Sequence, residues 1–452
     1  MIYLDMTSCL DFMGRNPLGI VRVEMNFVRY AMSHLTEDQL TFCYYDRNFR
    51  KFVNLQHTDP SGILAQVGAP KQTVASSVSQ VTASKTSRFK PVFKRFAADF
   101  RQALKDQAKE KAPGLYLAVK RLFSKQEKEG AEEGPCSLLA PLDWTEKDVF
   151  VTVGLIWNYL PMRELYLQKE KRGFRVIGMI YDLIPFQVPE CCVGVPPAFF
   201  RDITDLFWCA DGLMTISRQT MRDVEGYCER FQLPVPSRRG ICYLGMDIGR
   251  LQKDYVPSAQ EIDIKKLKPG RFVLQVGTIE PRKNHNLSCA VWRNLYREGL
   301  KELMPLVIVG ARIGGVPDIL GATLRDREFA EKYIIHAAHV SDQTLLWLYQ
   351  NCYMTIYPSF YEGWGLPVSE SLAHGKFCLS GDNGAMKEAG ADFAEYLSPF
   401  DILGWMDKLR FLMQNPSEVE RRNRRIAENY KGNTWENSSR QFFEFVKKVA
   451  CK

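Results

Sequence analysis

Residues 359–384 read SFYEGWGLPVSESLAHGKFCLSGDNG, and this stretch decides the fold of the chain. The preceding run YMTIYPS is apolar and β-branched, which predicts a buried parallel strand that ends at Pro358. After a glycine turn, LPVSESLAHG has helical spacing and stops at Gly375. Strand, turn and helix in this order place Glu362 at the carboxyl end of a strand, where open α/β sheets bind ligands.

Two carboxylates in this stretch, Glu362 and Glu370, stand eight positions apart. The backbone N–H groups of the helix start between them have no intrahelical acceptor and are free to bind an anion. Such a turn suits a phosphorylated ligand, because carboxylates accept hydrogen bonds from the hydroxyl groups of a sugar. The alternative is a pair of solvated glutamates, which the helix macrodipole favours near a helix start. The surrounding residues favour the binding site.

Two segments of the chain resemble the motifs of a known family. The first comprises YEGWGLP, the second glutamate Glu370, the helix end LAHGK and the downstream GDNGAMKEAG. The second lies earlier, at Val276 to Asn284 (VGTIEPRKN), where a glycine turn and an Arg-Lys pair follow a strand. Together they resemble the signature of the family 4 retaining glycosyltransferases, a large group with the GT-B fold that transfers sugars from nucleotide donors.

The resemblance implies an α/β fold of the GT-B type, with two doubly wound Rossmann-like domains facing each other across a cleft. The expected divisions are an acceptor-binding domain at residues 1–250, a nucleotide-sugar-binding domain at 251–432, and a helix at 433–452 that crosses back to the first domain. A helical, basic insertion is expected at about 55–145. The residues support this class independently, because strands alternate with helices along the chain.

Apolar periodicity predicts the regular elements. In the first domain the strands are MIYLDM, VFVTVG, FRVIGMIYD, GLMTIS and GICYLG, and in the second they are RFVLQVG, PLVIVG, YIIHA, YMTIYPS, KFCLS and AEYL. The helices of the first domain are predicted at about Gly19 to His34, Pro161 to Lys171, Pro197 to Cys209 and Arg218 to Phe231. The polar segment SCLDFMGRNPLG is predicted to be a loop.

The composition of the 452 residues suits two globular domains, with 46% hydrophobic and 12% aromatic residues. The N-terminus lacks the basic and apolar regions of a signal peptide, and no apolar run approaches the roughly 20 residues of a membrane span. The twelve cysteines contain no C-x-x-C pair, which favours reduced thiols over disulfides or a zinc site. A cytoplasmic protein is expected.

The basic charge is concentrated in one segment. Between Lys85 and Glu129 there are thirteen Lys or Arg and five Asp or Glu, an excess that equals the net charge of +8. Phe93, Phe96 and Phe100 recur among these charges at helical spacing. One interpretation is a helix in peripheral contact with the inner face of an anionic membrane. The other is a helical insertion whose aromatic stripe packs on the domain. Nucleic acid is not an expected partner, because no recognised binding motif accompanies the charge.

The N-terminal domain is expected to supply the acceptor and phosphate loop. Gly14, Arg15 and Gly19 lie between a strand and a helix, and the resemblance places such a loop over the donor phosphates and near the acceptor, with Arg22 also a candidate. The segment Tyr181-Asp182-Leu183-Ile184-Pro185 resembles the family's His-Asp-x-Ile-Pro segment at the edge of the sugar site. Tyr181 replaces the usual histidine, which puts the environment of the donor's C6 in doubt. Ser217 to Thr220 is assigned only a helix N-cap.

The C-terminal domain is expected to hold the donor. Arg282 and Lys283 can neutralise a diphosphate, although on their own they are also compatible with a solvated pair. Carried over motif by motif, the resemblance implies that Glu362, Arg282, Lys283 and Asp182 are catalytic. It implies a donor-binding set of Gly277, Arg282, Lys283, Gly363, Trp364, Gly365, Leu366, Glu370, Gly310 and Val340.

The predicted function is retaining transfer of a hexose from a nucleotide-diphosphate sugar to a glycan or lipid-linked glycan in bacterial surface polysaccharide synthesis, such as O-antigen or capsule. GDP-mannose is the leading donor, and a 6-deoxyhexose donor such as dTDP-rhamnose is the alternative. No D-x-D pair is present to chelate a metal to a diphosphate, so no metal or other cofactor is expected. A sugar-nucleotide-binding protein that has lost transfer is a further alternative. A dinucleotide oxidoreductase is not favoured, because the chain lacks the glycine fingerprint that binds a dinucleotide.

Overall fold

The computed structural model of the chain describes residues 1–14, 19–47, 50–55, 60–67, 142–157, 159–192, 194–246, 251–263, 267–312 and 320–451. We refer to the described residues up to 246 as the N-terminal half and to those from 251 as the C-terminal half. The basic segment 85–129 and most of the expected insertion lie outside the described residues, as does the candidate Arg15.

The N-terminal half is built on one sheet with, in the described residues, the strand order β3-β2-β1-β4-β5-β6-β7. All neighbours are parallel except the pair β2 and β3. The strands are β1 (Ile2–Asp5), β2 (Leu40–Asp46), β3 (Lys51–Asn54), β4 (Val149–Thr152), β5 (Arg175–Ile180), β6 (Gly212–Thr215) and β7 (Arg238–Ile241). The central strands β4 and β6 are buried along their whole length, as expected where helices cover both faces.

Helices alternate with these strands. They are α1 (Thr7–Asp11), α2 (Gly19–His34), α3 (Pro60–Gln66), α4 (Met162–Arg172), α5 (Ile184–Gln187), α6 (Pro197–Cys209) and α7 (Arg218–Phe231). Helices α2, α6 and α7 begin and end where the sequence predicts. The predicted loop after β1 is wrong in part, because Thr7–Asp11 is helical. That helix is only five residues long, too short for apolar periodicity to reveal it.

The C-terminal half is a second sheet, all parallel, with the order β10-β9-β8-β11-β12-β13 in the described residues. Its strands are β8 (Val273–Val276), β9 (Leu306–Val309), β10 (Ile334–Ala337), β11 (Met354–Tyr357), β12 (Cys378–Gly381) and β13 (Glu395–Leu397). Its helices are α8 (His285–Arg297), α9 (Gly321–Leu324), α10 (Arg327–Tyr333), α11 (Asp342–Asn351), α12 (Leu366–Ala373), α13 (Met386–Gly390), α14 (Ile402–Gln414) and α15 (Pro416–Asn429). Each of the six strands predicted in this half is present.

Both sheets reverse their strand order beside the first strand. In the second sheet β8 lies between β9 and β11, and in the first β1 lies between β2 and β4. Loops that leave two such neighbouring strands diverge to opposite faces and open a crevice at the carboxyl edge, where doubly wound sheets bind ligands. The loops after β8 and β11 carry the two motifs found in the sequence, so the topology brings those motifs together.

The last helix, α16 (Trp435–Ala450), packs on the N-terminal half. The ring of Phe442 lies 4.9 Å from that of Phe27 in α2, between ring centroids. The amide of Met246 donates to the carbonyl of Asn433 at 2.8 Å, where the chain approaches this helix. Trp435, the first residue of the helix, is partly buried against the same core. The C-terminal end of the chain therefore ties the two halves together.

None of the helices in the described part of the chain combines the length and the apolar content that crossing a bilayer requires. The cysteines among the described residues are free thiols, and most of them are buried. This agrees with the expectation of reduced thiols for those positions.

Candidate functional site

The two predicted motifs meet at one buried carboxylate. Arg282 and Lys283 lie in a short 3-10 turn, Pro281–Lys283, after β8, and Glu362 follows β11. Nη1 of Arg282 lies 2.6 Å from Oε2 of Glu362, and Nζ of Lys283 lies 2.6 Å from Oε1 of Glu362. Glu362 is only 6% exposed, so both ion pairs are shielded from water.

Hydroxyl groups complete the surroundings of Glu362. Its Oε1 also accepts hydrogen bonds from Tyr357 Oη at 2.8 Å and from Ser359 Oγ at 2.6 Å. Burial acts to raise the pKa of this carboxyl, but the charges of Arg282 and Lys283 outweigh it and lower the pKa to about 2. Glu362 is therefore ionised throughout the neutral range.

The basic pair has its own balance of charges. Arg282 also pairs with Glu280, at 2.6 Å from Nη2 to Oε1. Burial and repulsion by Arg282 lower the pKa of Lys283, while Glu362 and Glu280 oppose that change. Two cations and two carboxylates thus lie together at the carboxyl edge of the sheet. In the described residues, no three His, Cys, Asp or Glu side chains lie close enough to hold a metal ion.

Glycines allow the loops around Glu362 to approach closely. At Gly310 a Cβ atom would lie 1.9 Å from the carbonyl oxygen of Gly277, so the loops after β8 and β9 touch through their backbones. At Gly384, where φ is +66°, a Cβ would lie 2.5 Å from the carbonyl oxygen of Glu362. That same carbonyl accepts from the amide of Ala385 at 2.9 Å. The GDNG segment and the following Ala385 therefore pack against the backbone of Glu362.

The helix start after Glu362 has the predicted form. Helix α12 begins at Leu366, and the preceding Gly365 has φ +103° and provides no side-chain cap. Glu370 lies one turn further on, half-buried, and its Oε2 accepts from Tyr349 Oη at 2.7 Å. Burial raises the pKa of Glu370, and the Tyr349 hydrogen bond opposes that effect. Glu362 and Glu370 thus have opposite pKa shifts, which fits different roles.

Three other donor-side candidates lie near this edge. Trp364 is 9% exposed, its ring centroid lies 5.2 Å from that of Tyr243, and its indole N–H has no hydrogen-bond partner within the described ranges. The carbonyl of Gly310 lies 2.9 Å from Nε2 of His336, so this histidine has a partner in the loop after β9. Val340 is half-buried after β10.

The N-terminal candidates Tyr181 and Asp182 lie where the N-terminal half meets the loop of Glu362. Tyr181 is buried, and its hydroxyl donates to the carbonyl of Val153 inside the N-terminal half. Its backbone carbonyl faces Gly363, where a Cβ atom would lie 2.4 Å from it. Asp182 Oδ1 accepts from the amide of Ile184 at 3.2 Å, and burial raises its pKa although Arg282 opposes the shift. Asp182 is therefore close enough for the charges of Arg282 and Lys283 to affect its pKa.

The loop before α2 is described only at its ends. Gly14 has φ +71°, and its amide donates to the carbonyl of Gln66 at 2.9 Å. Gly19 is the first residue of α2, with open space at the Cβ position. Arg22 reaches the C-terminal half, since its Nη2 lies 3.3 Å from Asp342 Oδ1, with both side chains largely exposed. This pair is weak because it is solvated.

Glu388 contacts the N-terminal half, and the sequence did not predict this contact. Its carboxylate accepts from the amides of Arg218 at 2.8 Å and Gln219 at 2.7 Å, the first two residues of α7. The predicted N-cap is present there, because Ser217 Oγ accepts from the amide of Thr220 at 2.9 Å. Glu388 belongs to the GDNGAMKEAG segment, which was noted in the family resemblance but given no role.

A second pair of buried carboxylates lies at the carboxyl edge of the first sheet. Asp5 and Glu24 are both fully buried. Asp5 accepts from Thr7 and, at 3.0 Å, from Thr152 Oγ1 on the neighbouring strand. Burial raises the pKa of Asp5 to about 6. Burial and the charge of Asp5 raise the pKa of Glu24 well above its usual value. The pair therefore retains a proton at pH values where exposed carboxyls have lost theirs.

We expect Glu24→Gln to become more stable than the wild type as the pH rises. A raised folded pKa of Glu24 means that the folded state binds more protons than the unfolded state. Its contribution to stability is therefore fully present below the unfolded pKa of about 4 and is lost as the pH rises from there towards the folded pKa. Glutamine removes the titration and keeps the shape. The variant should gain roughly 1–3 kcal/mol of unfolding free energy, relative to the wild type, between about pH 5 and pH 8.

Urea unfolding of both proteins at each pH measures this difference. Glu225→Gln is the matched control, because Glu225 is exposed and pairs with Arg239. A stability difference between Glu24→Gln and the wild type that does not change with pH would contradict the raised pKa of Glu24.

Comparison with known sequences finds matches to both parts of the chain. Residues 259–432 match the family model described as Glycosyl transferases group 1. The serotype-specific mannosyltransferase WbdA of Escherichia coli is 25% identical over 311 residues, which cover 66% of this chain and 37% of WbdA. The O-antigen chain mannosyltransferase B of Escherichia coli is 30% identical over 170 residues, 38% of this chain and 44% of that protein. The chain thus spans less than half the length of each of these relatives.

Solved structures support the fold class. The alpha,alpha-trehalose-phosphate synthase (UDP-forming) of Burkholderia vietnamiensis matches with a TM-score of 0.51 at 13% identity, covering 68% of this chain and 76% of that one. The enzyme of the same name from Burkholderia xenovorans gives 0.51 at 14% identity, covering 67% and 73%. At such identities the likeness shows the fold alone, which is α/β of the GT-B type. The predicted fold class is confirmed.

Proposed function

We propose that this chain, which carries a glycosyl transferases group 1 domain at residues 259–432, is a retaining glycosyltransferase that moves a hexose from a nucleotide-diphosphate sugar to a glycan or lipid-linked glycan. The observation that supports this most is the buried cluster of Arg282, Lys283 and Glu362 at the carboxyl edge of that domain's sheet. It lies beside the reversal of strand order, where doubly wound sheets bind nucleotides.

The cluster has the charges that loss of a nucleoside diphosphate requires. Departure of the leaving group develops negative charge on phosphate oxygens and positive charge on the sugar. Arg282 and Lys283 supply fixed positive charge in a water-excluded place, where preorganised electrostatics have their largest effect. Glu362 holds those cations in position and, as a carboxylate, can accept hydrogen bonds from sugar hydroxyls. Glu370 would then bind the ribose.

The proposed step balances without a protein base. The bond from the anomeric carbon to the phosphate oxygen breaks, and a bond to the acceptor oxygen forms on the same face. The proton of the acceptor hydroxyl passes to the departing phosphate oxygen. The low pKa of Glu362 fits this scheme, because an ionised carboxylate held by two cations is a poor proton acceptor.

For the donor we propose GDP-mannose, since relatives of the chain are named as mannosyltransferases. We place the reaction in synthesis of a bacterial surface polysaccharide such as O-antigen, in the cytoplasm. Contact with a membrane through segment 85–129 is part of the same proposal, and that segment lies outside the described residues. A 6-deoxyhexose donor remains the alternative, motivated by Tyr181, whose hydroxyl bonds to Val153.

A panel of nucleotide sugars tests this function directly. GDP-mannose, UDP-glucose, UDP-N-acetylglucosamine and dTDP-rhamnose are each incubated with the full chain, and binding and slow hydrolysis are measured. Turnover of GDP-mannose alone supports the proposal, and turnover of dTDP-rhamnose alone favours the alternative. If no donor binds more tightly than about millimolar, the transferase proposal fails and a protein that has lost transfer becomes the better account.

We expect transfer to be independent of divalent metal. In the proposed mechanism Arg282 and Lys283 neutralise the diphosphate in place of a metal, and the chain has no D-x-D pair that would chelate one. Product formation with excess EDTA should equal that with added Mg²⁺ within about twofold. Loss of transfer on chelation, restored by Mg²⁺ or Mn²⁺, would contradict this prediction.

A further inference from the structure

The first turns of helix α7 contact the loop that carries Glu362. The hydroxyl of Tyr361 lies 2.8 Å from both carboxylate oxygens of Asp223, which is only 5% exposed. Gln219 Nε2 donates to the same hydroxyl at 3.0 Å. Tyr361 belongs to the C-terminal half and Asp223 to the N-terminal half, so this bond crosses the junction between the two sheets.

Tyr361 is also connected to the basic pair. Its backbone carbonyl accepts from Arg282 Nη1 at 3.1 Å, and Arg282 Nη1 in turn lies 2.6 Å from Glu362 Oε2. One residue therefore contacts Asp223 through its side chain and Arg282 through its main chain. Because burial strengthens electrostatic interactions, each link in this series of contacts is worth more than it would be in water.

Gly363, the residue after Glu362, also contacts helix α7. Thr220 is fully buried, and its Oγ1 lies 3.2 Å from the carbonyl oxygen of Gly363 and 3.2 Å from that of Tyr181. Residues on both sides of Glu362 therefore bond to α7. By contrast, every hydrogen-bond or ion-pair partner found for the Glu362 carboxylate among the described residues lies in the C-terminal half.

This division of contacts assigns two tasks to two parts of the protein. The C-terminal half holds the charged groups that would bind a donor. The N-terminal half contacts only the residues on either side of Glu362, through the side chain of Tyr361 and the carbonyl of Gly363. Glu388 adds a further contact at the start of α7. The position of Glu362 thus depends on whether the carboxyl edges of the two sheets are together.

We propose that Asp223 and Thr220 are positioning residues for Glu362, which couple approach of the two halves to the geometry of the transfer site. The inference rests on the proposed function. It requires that breaking the Asp223–Tyr361 contact slows transfer and leaves donor affinity nearly unchanged, because the donor-binding charges do not depend on α7.

Kinetics of Asp223→Ala and Tyr361→Phe test the coupling, with GDP-mannose as donor and GDP release as the measurement. Each variant should lower kcat about tenfold and change the Kd for GDP-mannose less than about twofold. The double variant should be no slower than either single one, since both remove the same bond. Asp223→Asn, which keeps an acceptor oxygen, should recover most of the rate.

Glu225→Gln is the matched control, because Glu225 lies on the same helix and pairs with Arg239 of the N-terminal half. It should leave both constants unchanged. Equal losses of kcat and donor affinity in Asp223→Ala, or an unchanged kcat, would overturn the inference.

Hydrogen exchange supplies a readout that does not need activity. Backbone amides of residues 359–366 should exchange about tenfold faster in Asp223→Ala than in the wild type, with β8 unaffected. If the wild type transfers no sugar, the proposed function fails, and this measurement still decides whether α7 holds the loop. Unchanged exchange at 359–366 would refute the positioning role.

Discussion

Replacing Glu362 by alanine is expected to lower kcat/KM for sugar transfer by at least about a thousandfold. The carboxylate holds Arg282 and Lys283 through contacts of 2.6 Å each, so its loss leaves two buried cations without their shared partner. They would repel each other and move from the position that a diphosphate requires. The unfolding free energy should fall as well, by roughly 3 kcal/mol, as when one partner of a buried ion pair is removed.

Transfer assays with the donor identified by the nucleotide-sugar panel, together with urea unfolding, measure the two effects. Glu395→Ala is the matched control, because Glu395 also pairs with two basic residues of the C-terminal half, Lys408 and Arg422, but is about a quarter exposed. The control should keep its activity. A Glu362→Ala protein that folds and transfers sugar at a tenth of the wild-type rate or better would contradict the proposed role.

The fold was largely predictable because the decisive patterns are local. Apolar runs and cap residues lie within single elements, so the bounds of α6 and α7 follow from the sequence. The antiparallel pair β2 and β3 was not predicted, because Leu40–Asp46 mixes buried and half-buried residues without strict alternation. The strand expected from Gly240 in fact begins at Arg238, where charged side chains obscure the apolar pattern.

The candidate site was predictable where topology joins motifs and unpredictable where the two halves meet. Glu362 and the Arg282–Lys283 pair are far apart in sequence, but β8 and β11 are adjacent strands, so their loops converge. No such rule relates Tyr361 to Asp223 or Glu388 to Arg218. Those contacts depend on how one sheet lies against the other, which periodicity within an element does not encode.

Gly363→Ala is the second change expected to have a large effect, through the same junction. A Cβ at this position would lie 2.4 Å from the carbonyl oxygen of Tyr181 and 2.8 Å from Cβ of Asp182. Gly363 is not among the glycines with positive φ, so alanine meets no backbone strain of its own. The first atoms that it meets belong to the N-terminal half. The methyl group therefore forces the two halves apart without distorting the C-terminal half.

We expect this variant to lower kcat about a hundredfold, while its Kd for the donor changes less than about threefold. Separation of the two halves moves the glycan acceptor site away from the donor and breaks the hydrogen bonds between α7 and the loop of Glu362. The ion pairs of Glu362 with Arg282 and Lys283 remain. Gly226→Ala is the control, because a Cβ there meets nothing within 4 Å and the position lies inside helix α7. It should keep full activity and gain up to about 1 kcal/mol of stability.

Donor binding and turnover, measured on the same preparation, separate the possible causes of a slow Gly363→Ala variant. Donor affinity that falls together with the rate would mean that the methyl group disturbs the loop of Glu362 itself. An unchanged rate would mean that transfer does not require the close approach of Gly363 to Tyr181. The methyl group would clash with the carbonyl oxygen of Tyr181 and the Cβ of Asp182, which rotation of a side chain does not move. Relief therefore requires the backbone to move, either as one half relative to the other or within the loop of Glu362, and the two measurements distinguish these cases.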